Sequence, residues 1–259
     1  MSVDRRNFLK MAGLASVATI GGGKAIEAVA QTASGAEFKE MAGGKSAHRW
    51  AMVIDTRKCL EHEDCNSCQA ACHKIHNVPE FDNPKDEIKW IWKHDAHGAF
   101  PEQIHHHMPH DMAHKNFIVM CNHCDNPPCV RVCPTQTTWR REDGIVMMDM
   151  HRCIGCRYCI TACPYGSRSF NWRDPRPHID DMNADFPTRC RGVVEKCNFC
   201  AERLAQGLMP ACVEACEHKA LTFGDIEDPE SKVRHLLEEH HSIRRKPSLG
   251  THPEVYYLV

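Results

Sequence analysis

Aromatic side chains are scarce in this chain. They make up 7% of its 259 residues. That is thin for a core of this size, so something other than side-chain packing has to support the fold. Metal–thiolate bonds are the natural source, because metal-binding free energy adds directly to folding free energy. Net charge is lacking as well: 32 basic side chains stand against 34 acidic ones, which removes nucleic acid as an implied partner. Past the first thirty residues no run is long and apolar enough to cross a bilayer. The haem-attachment motif Cys-x2-Cys-His is absent; Cys68-x3-Cys72-His73 is one residue too long for it.

What the chain has in excess is cysteine, 17 residues in all. Sixteen fall into four groups, each ending in Cys-x3-Cys: Cys59, Cys65, Cys68 and Cys72; Cys121, Cys124, Cys129 and Cys133; Cys153, Cys156, Cys159 and Cys163; Cys197, Cys200, Cys212 and Cys216. The third group, Cys-x2-Cys-x2-Cys-x3-Cys-Pro, is the bacterial ferredoxin pattern without departure. There three thiolates wrap one iron–sulfur cube, and the fourth, one helical turn on, reaches a second cube. Groups therefore come in pairs that exchange their fourth cysteine. Groups two and three pair as neighbours, giving Cys121, Cys124, Cys129 with Cys163, and Cys153, Cys156, Cys159 with Cys133. Groups one and four pair across the chain, giving Cys59, Cys65, Cys68 with Cys216, and Cys197, Cys200, Cys212 with Cys72. The expected cofactors are four [4Fe–4S] clusters, and no catalytic residue is assigned.

Pro134 and Pro164 end the helix after groups two and three, since proline has no amide to continue it. Zinc accounts for two Cys-x2-Cys knuckles but not for a third cysteine two residues on. A disulfide scaffold accounts for the count but not for the fourfold repeat. In group one five residues separate Cys59 from Cys65, and His62 falls at the usual ligand position; the reading adopted is a three-residue bulge with Cys59 bound. Cys190 is the odd cysteine, read as a buried or capped thiol. Arg57, Lys58, Arg152, Arg157, Lys196 and Arg203 crowd the cysteines. Cations there raise the potential of an anionic cluster.

The first thirty residues read as an export signal. Arg5 and Arg6 precede Asn7-Phe8-Leu9-Lys10, a weakly apolar run covers 11–23, and Ala28-Val29-Ala30 supplies a small-residue cleavage site. The paired arginines resemble the twin-arginine signal, a route that exports folded proteins already carrying their cofactors. The run is too short and glycine-rich to serve comfortably as an anchor. Residues 31–48 are a linker, 49–225 the cluster domain with a histidine-rich insertion at 73–115, and 226–259 a C-terminal helix and docking tail. Strands are expected at 49–54, 117–120, 144–148 and 220–223, with a hairpin turn at Asp143-Gly144 and a helix over 229–240. Strand, cysteine loop, short helix, strand is the ferredoxin rhythm. The fold class is thus α+β: two ferredoxin-like double-cubane modules related by a pseudo-twofold, plus a loop insertion and a tail. His105-His106-His107 reads as a solvated, partner-facing loop rather than a metal site.

The four groups, with Pro127-Pro128-Cys129 and Cys153-Ile154-Gly155-Cys156-Arg157-Tyr158-Cys159, resemble the four-cluster subunits of polysulfide, tetrathionate and dimethyl sulfoxide reductases. Cys197-Asn198-Phe199-Cys200-Ala201-Glu202-Arg203, with Gly207 and Pro210-Ala211-Cys212-Val213, is similar to the fourth motif of that family. The likeness covers about residues 49–225. The leader narrows it to the exported subunits of Dsr-, Hmc- and Nrf-type membrane complexes. The resemblance implies a single-electron relay between a quinone-reactive, NrfD-like membrane subunit and a multihaem cytochrome c or other redox partner. It implies a periplasmic subunit that reaches the membrane only through its partners and has no substrate site of its own. An iron–sulfur subunit of a molybdopterin oxidoreductase is the alternative.

Overall fold

A computed structural model describes residues 48–259. The export signal and nearly all of the linker expected from the sequence lie outside the described residues. Ten strands are present among the described residues: β1 Trp50–Asp55, β2 Ile91–Asp95, β3 Asn116–Met120, β4 Thr138–Arg140, β5 Val146–Met148, β6 Ser169–Phe170, β7 Val194–Glu195, β8 Leu221–Asp225, β9 Ser242–Ile243 and β10 Val255–Leu258. The helices are short: α1 Thr56–Leu60, α2 Ser67–Ile75, α3 Ala96–Ala99, α4 His110–His114, α5 Pro128–Arg131, α6 Tyr158–Ala162, α7 Ala201–Leu204, α8 Ala211–Glu214 and α9 Lys232–Glu239.

One four-stranded sheet, in the order β8-β1-β10-β9, organises the chain. Its centre, β1, is antiparallel to β8 and parallel to β10. Side chains alternate across a strand, and β1 is apolar on both faces. Met52 and Ile54 join the main core that also holds Cys68, Cys72, Cys121, Cys197 and Cys212. Ala51 and Val53 pack with Leu258 against Val233, Leu236 and Leu237 of α9, which lie on one helical face at i, i+3 and i+4. The helix comes close enough that a Cβ on Gly224 of β8 would stand 3.2 Å from Val233. Ser231 caps α9 by accepting a hydrogen bond from the Arg234 amide at 3.2 Å.

Two expectations need correction. The C-terminal segment is not a docking tail. Val255, Tyr257 and Leu258 are fully buried, because β10 fills the place beside β1 and its apolar residues are used inside the domain. Nor is the insertion a loop throughout. Its β2 pairs antiparallel with β3, Ile91 opposite Met120, and Trp90, Ile91 and Trp92 are buried. A buried tryptophan removes roughly 150–250 Å² from water, on the order of 4–6 kcal/mol before entropy is counted. The scarce aromatics are thus concentrated where they pack. The stretch carrying His105, His106, His107, His110 and His114 lies open on the surface, as do Asp82, Asn83, Pro84 and Lys85.

The remaining strands form three two-stranded ladders, β2-β3, β4-β5 and β6-β7. The Asp143-Gly144 turn joins β4 to β5 as expected, with Gly144 at φ +87° and Arg140 opposite Val146.

Candidate iron–sulfur centres

Antiparallel strand pairs deliver the cysteines to one another. β8 begins just after Cys216 and β1 ends just before Cys59. Pairing Ile54 with Leu221 therefore brings those two cysteines to one end of the ladder. β4 follows Cys133 and β5 precedes Cys153, and Thr138 opposite Met148 does the same for them. β6 follows Cys163 and β7 precedes Cys197, joined through Ser169 and Glu195. The third cysteine of each group opens a short helix: Cys68 in α2, Cys129 in α5, Cys159 in α6 and Cys212 in α8.

Four sets of thiols result. In the first, burial and then repulsion from Cys59, Cys216 and Cys65 push the Cys68 thiol up to about 12. In the second, burial and then Cys197, Cys212 and Cys200 hold Cys72 far above the usual thiol range. Cys121, Cys124, Cys129 and Cys163 line one small cavity together. Cys133, Cys153, Cys156 and Cys159 line another. Cys59 raises Cys68, and Cys216 and Cys65 raise Cys59, so Cys59 belongs to the first set. The extra residues of group one form a turn, with the His62 amide donating to the Cys59 carbonyl and the Cys65 amide to that of His62. The His62 ring stacks on His218 instead, at 3.6 Å between centroids. No disulfide joins any of the cysteines. Cys190 is exposed, which corrects the expectation of a buried thiol. It lies outside the four sets, on the rim of a cleft with Met147, Met150 and Phe186.

This donor set suits iron–sulfur cubes. Burial and mutual repulsion disfavour the thiolate form of Cys68, Cys72, Cys197 and Cys212, so four converging thiolates need a cationic core between them. The backbone is also shaped for it. The residue before the second cysteine is left-handed in three groups: His123 at φ +42°, Gly155 at +70° and Phe199 at +56°. The third residue after the last cysteine is left-handed in three groups too: Gln136, Gly166 and Lys219. That turn aims the next amide back at sulfur. Ala220 N donates to Cys216 Sγ at 3.2 Å, and the amides of Thr137 and Ser167 face the sulfurs of Cys133 and Cys163. Gly155 is confined further, because a Cβ there would meet the Gly192 carbonyl oxygen at 2.3 Å.

Residues 112–226 match the 4Fe–4S dicluster domain family. The chain is 37% identical to the Hdr-like menaquinol oxidoreductase iron–sulfur subunit 1 of Archaeoglobus fulgidus, over 98% of this chain and 97% of that protein. It is 36% identical to a tetrathionate reductase subunit of Salmonella typhimurium, over 100% and 89%. It is 36% identical to the menaquinone reductase iron–sulfur cluster-binding subunit of Nitratidesulfovibrio vulgaris, over 81% and 88%. The chain belongs to the family of iron–sulfur electron-transfer subunits of oxidoreductase complexes.

Several side chains of this iron–sulfur subunit act on the sulfurs from behind. Burial raises Cys133, but the hydroxyls of Thr137 and Thr135 and two backbone amides outweigh it and bring the thiol down to about 6. The buried Arg168 donates to Cys129 Sγ at 3.1 Å. The equally buried Lys196 donates to the carbonyls of Val146 and Cys197 and faces Cys121, Cys197 and Cys129. His76 stacks on Trp90 at 4.3 Å, its Nδ1 lies 2.9 Å from the Cys72 carbonyl and its Nε2 2.8 Å from Glu202. Burial lowers its pKa, but hydrogen bonds to Cys200 and Glu202 reverse this and lift it to about 9. His123 goes the other way. Burial and the cations Lys196 and Arg168 hold it well below the usual range, so it is neutral and its Nδ1 accepts from the Val146 amide at 3.1 Å.

Of the basic residues singled out in the sequence, only Lys196 points inward. Arg57 and Lys58 pair with Asp55, Arg203 with Glu214, and Arg157 lies over the Trp172 ring at 4.8 Å. Sequence reasoning missed Arg168, His76 and Thr137. The one signal available was position. Thr137 and Arg168 stand four and five residues past a fourth cysteine, and His76 stands four past Cys72, one helical turn on.

Proposed function

We propose that the subunit holds four [4Fe–4S] clusters, one on each cysteine set, arranged as two double-cubane modules. It relays single electrons between a quinone-reactive, NrfD-like integral membrane subunit and a multihaem cytochrome c or other redox partner. One observation carries the reading: the sets adjoin in series. Cys68 and Cys72 sit one turn apart on α2. Cys121 repels Cys197, and Cys129 repels Cys159. The order is therefore the Cys59 set, the Cys72 set, the Cys121 set and the Cys133 set. When bound, each cluster supplies one-electron storage; the chain's residues hold, space and tune them.

The two ends of the series differ. At the Cys133 end Cys156 is exposed, beside Ile154 at 66%, Tyr158 at 62% and Trp172 at 47% exposure. Exposed apolar residues of this size mark a protein interface, and their chemistry suits the membrane subunit. At the Cys59 end the surface is polar. Lys93 donates to the Glu63 carbonyl and Lys115 lies 3.7 Å from Glu63, so the histidine-rich insertion is tied to this end, where the water-soluble partner docks. Among the described residues no helix is long and apolar enough to cross a membrane. In this reading the twin-arginine leader places the subunit in the periplasm and its partners hold it at the membrane. It has no substrate site of its own. The finer assignment is to DsrO, the exported subunit of the Dsr membrane complex associated with sulfite reduction.

Affinity purification of the tagged subunit from solubilised membranes tests this. Recovery of an integral membrane subunit and a c-type cytochrome, with clusters that respond to a menaquinol analogue, is the expected result. Recovery of the subunit alone contradicts it. A large molybdopterin subunit in their place selects the alternative, an iron–sulfur subunit of an exported molybdopterin oxidoreductase, which the likeness to the tetrathionate reductase subunit favours.

A further inference from the structure

Arg168 belongs to two cysteine sets at once. It is 4% exposed and forms part of the wall of both the Cys121 cavity and the Cys133 cavity. Its Nη2 donates to Cys129 Sγ at 3.1 Å and to Thr138 Oγ1 at 2.8 Å, and its Nη1 reaches Met148 Sδ at 3.6 Å. The same guanidinium faces Cys159 of the other set across the Cys133 cavity. The anions that face it are the sulfurs of Cys129, Cys159 and Cys121, and none of the carboxylate ion pairs among the described residues includes it. Of the two other deeply buried arginines, Arg189 is matched to Glu195 at 2.5 Å, and Arg245 donates to the carbonyls of Ala99 and Gly98. A buried guanidinium without a carboxylate is strongly destabilising unless another anion compensates it. Two anionic clusters on either side do so.

We propose that Arg168 is a shared counter-ion, a positioning residue that raises the reduction potentials of two adjacent clusters together. The inference rests on the four-cluster reading above. A cation favours the more negative, reduced cluster, and a rigid fork of donors can serve two sulfurs where a lysine ammonium, a point charge, serves one. The two clusters nearest the exposed end are thereby matched to each other, which suits transfer between them in either direction.

The test is a potentiometric titration followed by electron paramagnetic resonance on the purified complex, with iron content measured in every sample. In Arg168→Gln two cluster signals should shift negative together, each by at least a tenfold loss in the one-electron reduction equilibrium, about 59 mV, while the other two stay in place. Arg168→Lys should split the pair, restoring one signal and not both. A shift of one signal or none in Arg168→Gln, or an equal response of both in Arg168→Lys, overturns the inference. Should the variants lose iron, the wild-type complex carrying ¹⁵N-labelled arginine decides. Pulsed resonance should find arginine nitrogen coupled to two clusters, and coupling to one or none is contrary. Too little iron in the wild type would instead sink the four-cluster reading itself.

Discussion

The two pairs of cysteine sets are built by opposite means. Groups two and three span residues 121–163, and a single hairpin, β4-β5, carries one group into the next. Groups one and four lie at 59–72 and 197–216 and meet only because β1 and β8 pair across the domain. The local pair is the more open one through Cys156, its exposed cysteine; Cys133, Cys153 and Cys163 are half-buried and Cys121, Cys124, Cys129 and Cys159 buried. In the distant pair Cys68, Cys72, Cys197, Cys200 and Cys212 are buried, Cys59, Cys65 and Cys216 are half-buried, and none is exposed. The contrast teaches that one ligand pattern serves two purposes. On the four-cluster reading proposed above, the thiolate–iron bonds of the distant pair would also tie the chain together, and those of the local pair would serve chiefly an exposed electron port.

The sharpest way to break that comparison is to remove one ligand from each pair. Cys212→Ala should cost on the order of 10 kcal/mol of folding free energy, the scale of a small structural metal site, and yield little folded protein. Cys156→Ala should disturb its own cluster while the circular dichroism melt of the rest persists. Equal collapse in both variants would erase the distinction. Next comes the polar tie between the halves. Glu195 is fully buried, pairs with Arg189, and accepts from Trp90 Nε1 at 2.9 Å and Asn171 Nδ2 at 2.6 Å. Glu195→Gln should leave the arginine uncompensated and cost about 3–5 kcal/mol, read as a lower denaturation midpoint; a loss under about 1 kcal/mol would show the tie to be dispensable.

A smaller effect is expected at the open end. Thr137→Val removes the hydroxyl 3.2 Å from Cys133 Sγ and should destabilise the reduced form of that one cluster by about 1 kcal/mol, seen as a negative shift of one signal. A shift at the buried sets would be contrary. The smallest is expected from replacing His105, His106 and His107 together by alanine. Stability should stay within about 0.5 kcal/mol, because all three are exposed, while affinity for the soluble partner falls.

Much of this was legible because thiolate chemistry constrains spacing. The groups, the strands before Cys59, Cys121 and Cys153, the turn at Gly144 and helix α9 all follow from local residue types. The burial of the two chain extensions was not. Val255–Leu258 is apolar, and from sequence alone an apolar end fits a docking face as well as an inner strand; only the open edge of β1 decides. Trp90 likewise shows its role only beside Glu195 and His76. The inward cations were the hardest to read. Arg168 and Arg157 are the same residue type near the same cysteine group. One is buried between thiols and one lies over Trp172, a difference that only the folded chain shows. His123 and Phe199 hold left-handed backbone where glycine would be expected, and their rings stack on each other at 3.7 Å, which nothing in the local sequence announces.

Iron and acid-labile sulfide per polypeptide, measured on anaerobically purified protein beside its reduced resonance spectrum, bear most directly on the whole picture. Filled cages on all the paired cysteine sets give about sixteen irons and a spectrum of interacting cubes. About eight irons, with the deeply buried cysteines still open to alkylation, would contradict it.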